Sequence, residues 1–220
     1  APLGLTGEYS IRKGVKIIGD RAFWSCNSLT NINIPNSVTT IGQGTFLHCD
    51  SLTNINIPNS VTTIGDETFF ECNSLTNITI PSSVVTINGN PFYGWHGILN
   101  NESKEFIYED LVLFNKNKTL LIAYRAKETN YTIPNSVTTI GDRAFADCES
   151  LTNITIPNSV TVIGYQAFYG CKSLTTINIP NSVTTIGDGA FIMCYSLTTI
   201  NIPNSVTTIG EEFFWGCNSL

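Results

Sequence analysis

The chain has 220 residues, of which 42% are hydrophobic and only 13% charged, and its formal net charge is −6. The length suits one large domain or two small ones, and the apolar fraction is too high for a disordered chain. No stretch approaches the roughly 18 apolar residues of a membrane span, and a pI near 4.8 argues against nucleic acid as the main partner.

A repeat of 23 residues runs along the chain from residue 11, after an incomplete first coil in residues 1–10. One proline in each unit marks the period: Pro35, Pro58, Pro81, Pro134, Pro157, Pro180 and Pro203. Every gap is 23 residues except the third, which is 53, or two periods plus seven. A fixed period of this length predicts a solenoid, because a single coil buries too little surface to be stable without its neighbours.

Each unit predicts two extended segments followed by a short turn. Leu52, Ile55 and Ile57 follow an L-x-x-I-x-I spacing whose last part alternates between apolar and polar, which predicts a strand that ends at Pro58. Residues 61–64 predict a second, shorter extended segment. Phe69 and Cys72 are three apart, which predicts one face of a short helical turn.

The turn begins with two small or polar residues in most units. A glycine follows the second strand, as at Gly65, and we expect it to adopt a positive φ there. The next residue is often aspartate, as at Asp66, and we expect it to cap the N-terminus of the helical turn.

Residues 98–127 form one longer coil that breaks the repeat. Two apolar runs, 111–114 and 119–124, flank the polar residues 115–118 and predict a β-hairpin. Residues 100–130 also hold ten of the chain's 28 charged side chains. The hairpin either fills a gap in the core or forms a protein-contact site.

The repeating pattern LTxIxIPxSVTxIGxxAFxxCxS resembles the BspA-like, or Treponema pallidum-type, leucine-rich repeats over residues 11–220 apart from the long coil. The resemblance implies an α/β repeat solenoid. This is a right-handed leucine-rich-repeat superhelix with a parallel concave β-sheet, short helical turns on the outer side and one β-hairpin insertion. We expect a single domain over 1–220, divided into repeats 11–97, the long coil 98–127 and repeats 128–220.

Seven cysteines occupy one position of the repeat, where the fourth unit has Trp95. Because a position that accepts tryptophan is apolar and inward-facing, we predict free buried thiols rather than disulfides or a metal site. The serines are likewise copies of one position, and neither His48 nor His96 has an evident catalytic partner. We therefore predict no enzyme, no cofactor and no metal.

Three surfaces are candidates for binding a protein. Outward positions of the first strands are Thr or Asn, and they form either a solvated ladder or a weak multivalent surface. A second stripe follows the repeated phenylalanine and either packs between turns or forms an apolar contact strip: Trp24, Leu47, Phe70, Tyr93, Tyr169, Ile192 and Trp215. The candidate binding residues are Phe106, Tyr108, Phe114, Lys116, Lys118 and Tyr124 in the hairpin, and Asn33, Asn56, Thr79, Thr155, Asn178 and Asn201 on the sheet.

The resemblance implies a secreted or surface-exposed protein of bacteria or mucosal protists. We expect a non-enzymatic protein-binding module, an adhesin or host-interaction protein whose ligand is an extracellular-matrix or host surface protein. The alternatives are a structural spacer that displays another domain and an inhibitor of a secreted enzyme that acts through the hairpin. Because Leu220 starts another unit, we expect that the natural chain continues or that uncapped ends self-associate.

Overall fold

The structure is a computed structural model that describes residues 4–220. The chain divides into two compact units, Ala1–Phe106 and Ile107–Leu220. The expectation of a single domain over 1–220 stays a prediction.

Twenty short strands make up the regular structure. The first nine are β1 (Thr6–Ser10), β2 (Ile17–Ile18), β3 (Ser28–Asn33), β4 (Thr40–Ile41), β5 (Asn54–Ile55), β6 (Thr63–Ile64), β7 (Asn77–Ile80), β8 (Thr86–Ile87) and β9 (Ile98–Asn101). The others are β10 (Phe106–Glu109), β11 (Val112–Asn115), β12 (Leu120–Tyr124), β13 (Asn130–Thr132), β14 (Thr139–Ile140), β15 (Asn153–Thr155), β16 (Val162–Ile163), β17 (Thr176–Asn178), β18 (Thr185–Ile186), β19 (Thr199–Asn201) and β20 (Thr208–Ile209).

Within each unit, equivalent strands of most successive coils pair in parallel, which confirms the solenoid and the parallel sheets of the prediction but not its α/β class. First strands form the sheets β1-β3-β5, β7-β9 and β13-β15-β17-β19. Second strands form β2-β4-β6-β8 and, with the hairpin, β10-β11-β12-β14-β16-β18-β20. Ile41 pairs with Ile64, and Ile140 pairs with Ile163, so each strand keeps the register that the 23-residue period predicts.

The repeated phenylalanines form a column of stacked rings in each unit. Ring centroids of Phe46 and Phe69 are 6.0 Å apart in the first unit, and those of Phe168 and Phe191 are 5.3 Å apart in the second. These rings lie fully buried among the isoleucines of both strands. The 23-residue period places Phe214 at the position equivalent to Phe191, but in the last coil it is Phe213 that meets Phe191 edge-on at 5.4 Å.

The prediction of short helical turns is wrong, because residues 4–220 contain turns but no helix. Phe46 and His48 donate their backbone N–H groups to Thr68 and Phe70 of the next coil, at 3.0 and 2.9 Å. Cys49 instead donates three residues back to Phe46, at 3.0 Å. Alternate N–H groups thus donate to carbonyl groups of the next coil, whereas in a helix each N–H would donate to the carbonyl four residues earlier.

After the first coil, the glycine that follows the second strand serves close packing, not a positive φ. A Cβ added to Gly65 would lie 2.5 Å from the backbone nitrogen of Gln43 in the preceding coil. Left-handed backbone occurs two and six residues later, at Glu67 (φ 55°) and Glu71 (φ 53°). The prediction of a left-handed glycine is therefore wrong. Glycine is required here because any side chain would collide with the adjacent coil.

The aspartate beside this glycine bonds the next coil instead of capping a helix. Asp142 Oδ1 accepts the backbone N–H of Tyr165 at 2.8 Å, and Asp20 Oδ1 accepts that of Gln43 at the same distance. Because the described residues contain no helix to cap, the expected N-cap role is wrong. The carboxylate therefore stabilises the contact between neighbouring coils.

Candidate functional site

The hairpin predicted within 98–127 is present as the antiparallel pair β11–β12. Val112 pairs with Tyr124, and Leu113 pairs with Ala123. β12 also joins the solenoid through parallel pairing of Leu120 with Thr139. The second arm of the hairpin is therefore a strand of the repeat sheet.

The aromatic hairpin residues predicted to bind a partner lie in the core. Phe106, Phe114 and Tyr124 are 7%, 1% and 4% exposed. Apolar faces of both arms pack inward, since the hairpin completes the core where the repeat is interrupted. These three residues therefore do not offer a direct contact surface, and their role in binding a partner stays a prediction.

Asn115 fixes the turn between β11 and β12. Its Oδ1 accepts the backbone N–H groups of Thr119 and Leu120 at 2.8 and 3.0 Å, and its Nδ2 donates to Thr119 Oγ1 at 2.9 Å. Lys118 adopts a φ of 53°. Lys116 is exposed beside it. Asn115 thus holds the polar turn through three hydrogen bonds, while Lys116 is exposed and Lys118 is half-buried.

Lys118 and Tyr108 are each held by a neighbour in the second unit. The Lys118 ammonium pairs with the carboxylate of Glu109. The Tyr108 hydroxyl accepts a hydrogen bond from the Arg125 guanidinium at 3.1 Å. Burial lowers the pKa of Arg125 from its ordinary value, but arginine stays charged at neutral pH. The surface around the hairpin therefore carries ordered charges of both signs.

The turn between β10 and β11 has a feature that sequence reasoning missed. Asp110 and Leu111 have φ values of 47° and 61°, the left-handed region that suits Asn-Gly in two-residue turns. Leu111 is nevertheless 52% exposed, and its carbonyl accepts the N–H of Arg125 at 2.9 Å. The apolar run 111–114 predicts that Leu111 belongs to a strand. The sequence pattern does not show the turn there, because the position of the turn depends on the register of the hairpin.

The candidate sheet residues all lie at the surface of the first-strand sheets. Thr79 is half-buried, and the others are exposed: Asn33, Asn56, Thr155, Asn178 and Asn201. On either side of Thr155, Ile154 and Ile156 are buried. This alternation leaves a polar face on each sheet, and the candidate positions on it are uncharged.

Threonine hydroxyls next to this face are engaged between coils. Thr53 Oγ1 donates to the Thr30 carbonyl at 3.1 Å, and Thr198 Oγ1 donates to the Thr175 carbonyl at the same distance. These bonds support the ladder interpretation of the threonines. The outward asparagines and threonines of the candidate set remain available for a weak, extended contact.

The fold and these surfaces can be compared with known proteins. The BspA type leucine-rich repeat family matches residues 6–108 and 123–220, in six copies. The chain belongs to this BspA-type family. The match leaves out residues 109–122, which include the turn at Leu111 and most of the hairpin.

Solved structures similar to this BspA-type chain come from bacteria. A leucine-rich repeat protein from Eubacterium ventriosum is 32% identical with a TM-score of 0.81, over 97% of this chain and 64% of that one. A leucine-rich cell surface protein from Faecalibacterium prausnitzii is 30% identical with a TM-score of 0.67, over 97% and 71%. The pneumococcal vaccine antigen PcpA, 23% identical with a TM-score of 0.78 over 97% and 60%, shares the fold. Curated proteins give no match.

The cysteines of the BspA-type repeat are free thiols, as predicted, and five of the seven are buried. Each Sγ after the first coil bonds a backbone carbonyl of the preceding coil, as Cys72 does with Phe46 at 3.1 Å. Burial raises the pKa of the Cys49 thiol to about 12, so it stays protonated at neutral pH. Within residues 4–220, no three His, Cys, Asp or Glu side chains converge on a metal position.

The stripe after the phenylalanine column packs between turns in the middle of the first unit. Phe70 stacks on Tyr93 with centroids 4.4 Å apart, and His48 meets Phe70 edge-on at 5.3 Å. Trp24 and Trp215 are exposed by 55% and 61%, while Ile192 is buried.

In the part of the chain that the structure describes, no helix is long and apolar enough to cross a membrane.

Proposed function

We propose that this chain is a non-enzymatic protein-binding module of a secreted or surface-exposed protein, acting as an adhesin or host-interaction protein. Membership of the BspA-type family and the cell-surface protein among the similar structures support this assignment. Its partner is a host surface or extracellular-matrix protein. The observation that carries the proposal is the exposed, left-handed Leu111.

Leu111 combines two costs that a stability role does not explain. A left-handed backbone costs a non-glycine residue about 1–3 kcal/mol, and Leu111, which is 52% exposed, regains only part of this through burial. Strain of this kind clusters at binding sites. Around Leu111 lie an acidic neighbour, Asp110, and the bonded pair Lys118–Glu109. An apolar anchor among charged groups is typical of the centre and rim of a protein interface.

The remaining predicted residues extend this contact surface. Tyr108, Lys116 and Lys118 add polar contacts along the hairpin. The candidate asparagines and threonines of the first-strand sheets provide weak contacts that gain strength by repetition. Because these faces lack aromatic anchors in the candidate positions, we place most of the binding energy at Leu111.

The test compares variants of the full chain on a panel of extracellular-matrix and plasma proteins. Deleting residues 104–124 would remove buried core, since Val112 and Leu121 are 1% and 0% exposed. Leu111→Gly is the sharper variant, because glycine fits the left-handed backbone. We expect this variant to be more stable by about 1 kcal/mol and to bind its partner about tenfold or more weakly.

Val85→Ser is the matched control, because Val85 is a 58% exposed apolar residue outside the hairpin. It should leave binding unchanged. Equal binding by wild type and Leu111→Gly would overturn the role of Leu111. Failure of the wild type to bind any panel member would favour a spacer, and inhibition of a secreted protease by the wild type alone would favour an inhibitor.

A further inference from the structure

The loop between β1 and β2 departs from the repeat in charge. In the next coil the equivalent residues 35–39 read Pro-Asn-Ser-Val-Thr, whereas residues 12–16 read Arg-Lys-Gly-Val-Lys. Arg12, Lys13 and Lys16 are all exposed, and none makes an ion pair with another residue that the structure describes. We call residues 12–16 the cationic loop. It gives an acidic chain one locally positive edge.

The backbone of the cationic loop is fixed by the second coil. Gly14 N–H donates to Ser37 Oγ at 3.1 Å, and Val15 N–H donates to the Arg12 carbonyl at 3.3 Å. The Lys16 carbonyl accepts both the N–H and the hydroxyl of Thr39, at 2.8 and 3.2 Å. An ordered loop displays its side chains at a lower entropic cost on binding than a flexible one.

An open polar groove of about 830 Å³ begins in the coil next to this loop. Asn36, which lines it, is the neighbour of the Ser37 that holds Gly14. The lining consists of amides, hydroxyls, two isoleucines and two prolines, with Glu102 as its charged member: Asn36, Asn54, Ile55, Asn56, Ile57, Pro58, Asn59, Ser60, Asn77, Thr79, Pro81 and Glu102. The loop and the groove therefore join cations to a row of neutral hydrogen-bonding groups.

We propose that the cationic loop and this groove bind a linear polyanionic glycan, a polymer that carries sulfate or carboxylate groups among many hydroxyls. Sulfate or carboxylate groups bind Arg12, Lys13 and Lys16 through charge-assisted hydrogen bonds. Sugar hydroxyls donate to and accept from the asparagine amides of the groove, such as Asn36 and Asn59. This site lies in the first unit and is independent of the hairpin.

The chemistry of the groove favours a glycan over two other polyanions. Single-stranded nucleic acid is held by aromatic stacking platforms, and the groove lining has no aromatic ring. Peripheral membrane binding combines cations with apolar side chains that enter the bilayer. The groove's outer asparagines, Asn36 and Asn59, are instead polar and exposed.

Glu8 is the carboxylate whose removal should strengthen binding. It lies exposed on β1, in the same coil as the loop, opposite Asn31 of β3. Glu102 lies in β9's coil at the other end of the groove lining. The anionic groups of the glycan are therefore expected at the first coil, and Glu8→Gln should raise the affinity about twofold or more by removing one repulsion.

The experiment measures the affinity of the full chain for heparin oligosaccharides by calorimetry. The loop variant Arg12→Asn, Lys13→Asn, Lys16→Thr removes the three cations, and its last two substitutions introduce the residues of the next coil, Asn36 and Thr39. We expect it to bind about tenfold or more weakly, and wild-type binding should weaken as salt rises from about 0.05 M to about 0.5 M. The matched control Lys104→Asn, Lys127→Thr, Lys172→Asn removes the same charge elsewhere and should keep wild-type affinity.

A second variant tests the groove without removing cations. Asn36→Asp and Asn59→Asp place carboxylates along the groove and should weaken heparin binding, with the thermal melt of each variant as the folding check. If the loop variant and the control lose the same heparin affinity, binding depends on net charge alone and the proposed site is overturned. Equal affinity of the wild type for heparin, phosphatidylserine vesicles and single-stranded DNA would also overturn it, whereas a preference for heparin supports it.

Discussion

The thiol of Cys72 donates a hydrogen bond to the backbone carbonyl of Phe46, one coil earlier, at 3.1 Å. The same carbonyl accepts the N–H of Cys49 at 3.0 Å, so it has one partner within its own coil and one in the next. Cysteine is thus the residue that fills this small apolar space and also satisfies a buried carbonyl. The repetition of cysteine at this position has a structural cause that needs no redox or metal chemistry.

Replacing Cys72 should therefore cost more than its size suggests. Cys72→Ala removes buried volume and leaves the second partner of the Phe46 carbonyl unfilled, so we expect a loss of about 1–3 kcal/mol in the free energy of unfolding. Urea denaturation measures this loss. Cys26→Ala is the control, because Cys26 is buried in the first coil. A loss of equal size in both variants would contradict a role for the hydrogen bond.

Burial of the thiols makes the stability fall at alkaline pH. The pKa of Cys49 is raised to about 12 by burial, while that of an unfolded cysteine is near 8.5. The folded state therefore holds a proton that the unfolded state releases, so the stabilisation is complete below the unfolded pKa and is lost as pH rises through the folded pKa. Between about pH 9 and about pH 11, each such thiol lowers the free energy of unfolding by about 1.4 kcal/mol per pH unit.

Denaturation at a series of alkaline pH values checks this slope. Cys49→Ala should reduce the slope by the contribution of one thiol. Val61→Ala also removes buried volume but no titrating group, so its curve should run parallel to that of the wild type. Parallel curves for all three proteins would show that the Cys49 thiol does not titrate as the structure implies.

Asp142 links two coils through one carboxylate oxygen. Removing this carboxylate should lower the free energy of unfolding, because the backbone N–H of Tyr165 loses its acceptor. Asp142→Ala deprives the Tyr165 N–H of its acceptor at 2.8 Å, and we expect a loss of about 1 kcal/mol. Asp142→Asn keeps an oxygen in place and should lose less. Thermal and urea denaturation of both variants decide between them, and equal losses would show that the charge matters instead of the acceptor.

Local patterns in the sequence predict most of the stack. The period places equivalent residues side by side, so the pairing of Ile41 with Ile64 and the stacking of Phe46 on Phe69 follow from spacing alone. The inward position of the cysteines also follows, because Trp95 replaces one of them. These features depend on the identity of residues within one coil.

Features that depend on contacts between coils or strands could not be predicted in the same way. A spacing of three between Phe69 and Cys72 fits both a helix and a chain of tight turns, and the N–H partners in the next coil decide between them. Leu111 belongs to an apolar run, yet the hairpin register places it in a turn. The sequence leaves both alternatives for the hairpin open for the same reason, since an aromatic residue such as Phe114 suits a core as well as an interface.

The glycine after each second strand provides the most direct test of contact between coils. A Cβ on Gly65 would lie 2.5 Å from backbone atoms of Gln43 and Gly42, and backbone cannot move aside as a flexible side chain does. Gly65→Ala should therefore force the coils apart and cost about 3 kcal/mol. Gly19 occupies the same repeat position in the first coil, where an added Cβ has no atom of the described residues within 4 Å.

Gly19→Ala is thus the matched control for Gly65→Ala. Neither glycine has a positive φ, so alanine is compatible with both backbones and the two variants differ in packing. We expect Gly19→Ala to be neutral or stabilising by up to about 1 kcal/mol, because alanine restricts the unfolded chain. Urea denaturation measures both values. If the two substitutions cost the same, the glycines would be required for backbone conformation and not for the approach of neighbouring coils.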